Sequence, residues 1–226
     1  MGSENLFHKR NAKVADKLER RKAKRKSYDK VLIVCEGSKT EPSYFIELVD
    51  HYKINSANVA IDGSCGSSPR SVYERAHALY LAEVAKGDSF DRVYCVFDKD
   101  SHDTYDETLT RIASEKPTST FYATTSIPCF EYWLLLHFGY TTKPYARSGS
   151  SSIGNEVLKD LVAVMPEYEK GNKNLFSSLF EQLEFAKTNA VRSLNEASDN
   201  HTDNPSTNVQ ELVEYLQNIK LDDITG

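Results

Sequence analysis

The chain has 226 residues, 39% hydrophobic and 11% aromatic, with 10 glycines and 7 prolines. That composition excludes a disordered, collagen-like or proline-rich chain and supplies a core that needs no staples. The net charge of −5 hides a split: residues 1–30 carry 11 Lys and Arg against 4 Asp and Glu, leaving 17 and 29 for the rest.

The split predicts a basic arm, residues 1–27, on an acidic body. Residues 12–26 hold good helix formers and few apolar positions, so the arm is expected to be helical or frayed and outside the core. Arg20, Arg21, Lys24 and Arg25 are candidates to neutralise nucleic-acid phosphates. The same charges suit a solvated helix lying on the acidic body. The longest apolar run, YWLLLHF at 132–138, falls far short of a membrane span. The first residues lack the apolar stretch of a secretory signal. Cys35, Cys65, Cys95 and Cys129 form no CxxC pair, which suits neither zinc nor a disulfide scaffold. The cytoplasm is the expected compartment.

Residues 31–35 (VLIVC) read as a buried strand that ends at Glu36-Gly37. Thr40 is expected to cap a helix with Tyr44, Phe45, Leu48 and Val49 on its inner face. Residues 58–62 suggest a second strand. Ser68 and Pro69 open a helix with Val72, Ala76, Leu79 and Val84 as its stripe. Residues 92–97 form a strand ending at Asp98-Lys99-Asp100, residues 104–113 a helix and residues 120–125 a strand. Pro128 precedes a buried helix, CFEYWLLLHF. Residues 141–155 read as flexible. Residues 175–195 keep one helical face, residues 195–205 form a polar loop, and Ser206 or Thr207 caps a last helix with Val209, Leu212, Val213 and Leu216. Strands alternating with helices predict an α/β fold, a mostly parallel sheet flanked by helices.

Glu36, Asp98 and Asp100 sit where strands end. In open α/β sheets the ligand crevice lies at the carboxyl ends of the strands. Asp98 and Asp100 point the same way in extended backbone, with Lys99 opposite. Converging carboxylates repel without a cation, and hard oxygen donors suit Mg²⁺ or Mn²⁺. Glu131 is either a further site acid or an ion-paired residue at a helix start. Lys39 and Arg70 are candidate phosphate contacts, each with a solvated or plain-turn alternative. His137, Tyr132 and Trp133 read as core. The DKDSHD run fails as an EF-hand, since Asp103 and Leu109 stand where glycine and glutamate belong. A phosphatase using Asp98 as nucleophile would leave Glu36 unexplained.

The run LIVCEGSKTEPSYF (32–45), then VFDKD (96–100), PCFEYWLLLHF (128–138) and NPST (204–207), resembles RloB-type proteins. These are small bacterial proteins of the Toprim-like fold linked to phage defence or restriction loci. The resemblance implies a Toprim-like domain at 28–140, with a helical part at 141–226 packed on it. It implies Glu36 as general acid/base and metal-linked, and Asp98 and Asp100 as Mg²⁺ ligands. It also implies cleavage of nucleic-acid phosphodiesters and an ABC-type ATPase partner. Where a second glutamate is expected after Glu36 the chain has Ser38, and no glycine soon follows the DxD. A non-catalytic docking or sensor subunit of an ATPase-linked complex is the alternative. Self-association and the choice between DNA and RNA stay open.

Overall fold

A computed structural model describes Lys17, residues 28–99 and residues 103–220. The candidates Asp100, Arg20, Arg21, Lys24 and Arg25 lie outside those residues. Strand β1 (Val31–Cys35) is buried along its whole length. Val31, Ile33 and Cys35 enter one core, while Leu32 and Val34 enter the other. Helices cover both faces of the sheet, and for that reason the run is continuously apolar rather than alternating.

The chain continues through α1 (Thr40–His51), β2 (Val59–Asp62), α2 (Pro69–Val84), β3 (Arg92–Asp98), α3 (Tyr105–Ser114) and β4 (Phe121–Ile127). Then come α4 (Glu131–Leu135), α5 (Ile153–Val164), α6 (Leu175–Leu179), a 3₁₀ turn (Phe180–Gln182), α7 (Leu183–Asp199), β5 (Ser206–Thr207) and α8 (Val209–Asn218). The strand order is β2-β1-β3-β4-β5. All pairs are parallel except β4–β5. From β1 the chain steps outward to β2, then returns across β1 to β3. The winding therefore reverses between β1 and β3, and the crevice of such sheets opens at that reversal.

Several elements depart from the sequence-based expectation. Thr40 is the first residue of α1 and Lys39 stands at the N-cap. The Thr40 hydroxyl instead accepts from the Gly171 N–H at 3.1 Å, tying α1 to the later chain. Ser68 caps α2 as expected, its hydroxyl accepting from the Ser71 N–H. The buried stripe of α2 is Val72, Ala76, Tyr80 and Glu83; Leu79 packs partly buried against the same core, whereas Val84 is exposed. Glu83 turns inward because Lys30 awaits it, with Lys30 Nζ 2.7 Å from Glu83 and 3.1 Å from Asp88. Lys30 is thus buried and spends its charge inside the body.

Residues 175–195 share one buried face, but the helix breaks at Phe180–Gln182. Helix α7 runs on to Asp199, into the expected loop. Ser206 and Thr207 form an antiparallel edge strand and Asn208 is at the N-cap of α8, although the Thr207 hydroxyl accepts from the Val209 N–H at 3.3 Å. Within 141–155, Ile153 already belongs to α5 and Tyr145 is buried, its backbone bracketed by the Asn204 amide. Leu161, Phe176, Ala190 and Leu212 share one core with Val31 and Phe45. Among the described residues no helix is long and apolar enough to cross a membrane.

Candidate functional site

Two loops at the winding reversal build the site. The Glu36 N–H donates to the Val96 carbonyl at 2.8 Å, extending the β1–β3 pairing by one residue. Gly37 then turns the chain with φ +91°, a left-handed conformation that favours glycine. The small-residue loop after β2 presses on this turn. A Cβ on Gly63 would lie 2.7 Å from the Gly37 carbonyl and 2.5 Å from Pro42.

The Glu36 carboxylate accepts from the Asp98 backbone N–H at 3.1 Å, so the ends of β1 and β3 are clasped. Pairing continues one residue further, the Lys99 N–H donating to the Ser126 carbonyl. The Lys99 side chain pairs with Asp203 and lies over the Tyr105 ring.

Glu36, Lys39, Glu41, Asp98, Glu131 and Lys170 line one cleft of about 400 Å³. Loss of hydration drives the Asp98 carboxyl well above the usual carboxylate range, and Glu41, Glu131 and Glu36 push it further. Burial raises Glu41 to about 7, with Glu131 and Glu36 adding and Lys170 opposing. Glu131 is buried at the start of α4. Its Oε1 accepts from the Tyr168 hydroxyl at 3.2 Å and lies 3.2 Å from Lys170 Nζ. The acids crowd because the backbone forces them together, and such crowding favours either a proton or a cation.

The sequence candidates separate clearly. Glu36, Asp98, Glu131 and Lys39 come together in the cleft. Arg70 is not among the residues lining it; its guanidinium pairs with Glu107 on the exposed face. His137 is a buried core histidine, its Nδ1 facing the Trp133 carbonyl at 3.1 Å, and burial lowers its pKa to about 4. Tyr132 and Trp133 are core.

Sequence reasoning missed Glu41, Tyr168 and Lys170. Glu41 had a signal, since it falls in the first turn of the helix that follows the Glu36 loop. Tyr168 and Lys170 had none, because they reach Glu131 from 37 and 39 residues along the chain.

Among the described residues no group of three His, Cys, Asp or Glu side chains is arranged to hold a metal ion. The donors that line the cleft are carboxylate oxygens, which is the chemistry of a hard divalent ion. Glu36 and Asp98 would be the holders, and Asp100, the remaining expected ligand, is outside the described residues. A family model described as RloB-like protein matches residues 31–216. Neither curated proteins nor solved structures give a match.

Proposed function

The chain belongs to the RloB-like family, and from that premise we propose that it is a metal-dependent nuclease of Toprim-like type, cutting nucleic-acid phosphodiesters in bacterial anti-phage defence. One observation carries the reading: Glu36 and Asp98 are clasped at the winding reversal with two more carboxylates in the same cleft. A bound Mg²⁺ or Mn²⁺ would supply charge to a phosphoryl oxygen and lower the pKa of a water.

The chain's own groups do the rest. Glu36 is fixed by the Asp98 N–H, so its second oxygen has a set direction for handling a proton. Glu41, with a pKa of about 7, exchanges a proton at neutral pH, as a general acid or base must. Lys39 and Lys170 are the cleft's cations and would meet the phosphate. Glu131 sets the position of Lys170 and stands as a further catalytic candidate. The basic arm holds the flanking strand, and an ABC-type ATPase is the proposed partner.

The test incubates pure protein with Mg²⁺ or Mn²⁺ and tRNA, single-stranded or duplex DNA, alone and with the ATPase. Cleavage by the wild type, lost in Glu36→Gln and in Asp98→Asn, is expected. Cleavage that persists in both variants refutes the residue assignment. No cleavage under any of these conditions refutes the nuclease reading and leaves the docking alternative.

A further inference from the structure

A second concave site lies at the opposite end of the sheet. Arg92, Tyr94, Tyr122, Thr124, Glu211 and Tyr215 line a cavity of about 210 Å³ where β3 and β4 begin, beneath α8. Tyr94 and Tyr122 are cross-strand neighbours, and their rings stack at 5.0 Å and 20°. Tyr215 adds a third ring, 5.6 Å from Tyr94. The Arg92 guanidinium lies 4.3 Å from the Tyr215 ring and 5.3 Å from the Tyr122 ring. Asp29 holds this arrangement, accepting from Arg92 Nε at 3.1 Å and from the Tyr215 hydroxyl at 2.7 Å.

Glu211 is the odd member. It stands exposed at the rim, in the first turn of α8. The cavity offers aromatic rings, a fixed guanidinium and a carboxylate acceptor at its rim. A planar heterocycle with N–H donors and ring acceptors matches that set.

We propose that this cavity is a nucleobase pocket that takes an unstacked base of single-stranded nucleic acid. The Tyr122 and Tyr215 rings with Arg92 form the stacking walls. Glu211 accepts from an amino or ring N–H of the base. The placement fits a strand: Asp29, which anchors Arg92, lies two residues past residue 27, so the cavity sits beside the point where the basic arm joins the body. From Arg92 to Asp98, β3 spans about 20 Å, a distance that a short single strand covers. The pocket gives the nuclease reading a second substrate contact but does not depend on it, because base binding needs no cleavage.

The test reads binding by fluorescence anisotropy, in EDTA, with the full chain. The probes are labelled single-stranded hexanucleotides, as DNA and as RNA, with abasic versions that keep the sugar-phosphate backbone. Tyr122→Ala and Tyr122→Leu, the latter keeping the apolar volume, should each weaken binding of a base-bearing probe by about tenfold. Tyr122→Phe should bind like the wild type, and the abasic probes should not respond to any of the three. Circular dichroism confirms the fold of each variant. Undiminished binding of both base-bearing probes by Tyr122→Leu overturns the proposal. So does an equal loss with the abasic probes, which would assign the site to phosphate.

Discussion

Glu36 and Asp98, 62 residues apart in sequence, are joined by a hydrogen bond from the Asp98 N–H to Glu36 Oε2 at 3.1 Å. The bond uses an oxygen of Glu36 but not its charge. Glu36→Gln therefore keeps an acceptor for Asp98 while losing the group that handles a proton. The expected result is an unchanged unfolding midpoint with cleavage reduced at least about 100-fold. Thermal unfolding and a cleavage time course on the same preparation check both halves.

Glu41 gives a pH dependence with a definite sign. Its pKa rises from the ordinary 4.5 to about 7 on folding, so the folded state binds the proton more tightly. Stability from this group is fully present below the unfolded pKa and is lost as pH climbs through the folded one. Above that the cost is constant, on the order of 3 kcal/mol. Asp98, raised in the same direction, adds to the slope. Denaturant unfolding between about pH 5 and pH 8 should show falling stability, flattened in Glu41→Gln and relieved by millimolar Mg²⁺.

Lys170 tempers the cleft from its rim. Its ammonium lies 3.2 Å from Glu131 and lowers the pKa of Glu41. Lys170→Met should move the acid limb of the pH–rate profile to higher pH and weaken substrate binding. A full pH–rate profile of the variant distinguishes this from simple loss of stability, which would lower the rate at every pH alike.

Lys30 serves the fold rather than the substrate. Buried between Glu83 and Asp88, it pairs with both carboxylates, and it shares Glu83 with Lys86. Lys30→Met should cost about 3–5 kcal/mol of stability. Urea unfolding measures that loss directly.

The arm makes a separate prediction. Deletion of residues 1–27 should lower nucleic-acid affinity and flatten its dependence on salt, because fewer counterions are released. The body should unfold as before. A binding series across salt concentrations tests this, and an unchanged slope assigns the arm to protein contacts.

The sheet was legible because its strands are short, continuous apolar runs. VLIVC, and VYCVF after the leading Arg92, leave no charged position to place on a solvent face. Their acidic ends marked the cleft for the same reason, since a carboxylate directly after such a run is forced to a strand terminus. Local pattern failed where a distant partner redirected a side chain. Glu83 points inward only because Lys30 is there, and Thr40 gave up its expected cap for Gly171. Ser206 and Thr207 read as caps by type, and Thr207 does accept from the Val209 N–H, but both also pair with β4, at Ser126 and Ile127. Tyr168 and Lys170 lie in a polar stretch without periodicity, so only the folded chain reveals their approach to Glu131.

The central claim is that Glu36 and Asp98 share a divalent ion. A crystal soaked in Mn²⁺ and measured for anomalous scattering tests it most directly. The account predicts a peak about 2.1 Å from a carboxylate oxygen of each residue. A well-occupied peak elsewhere, or none between them at millimolar Mn²⁺, would contradict it.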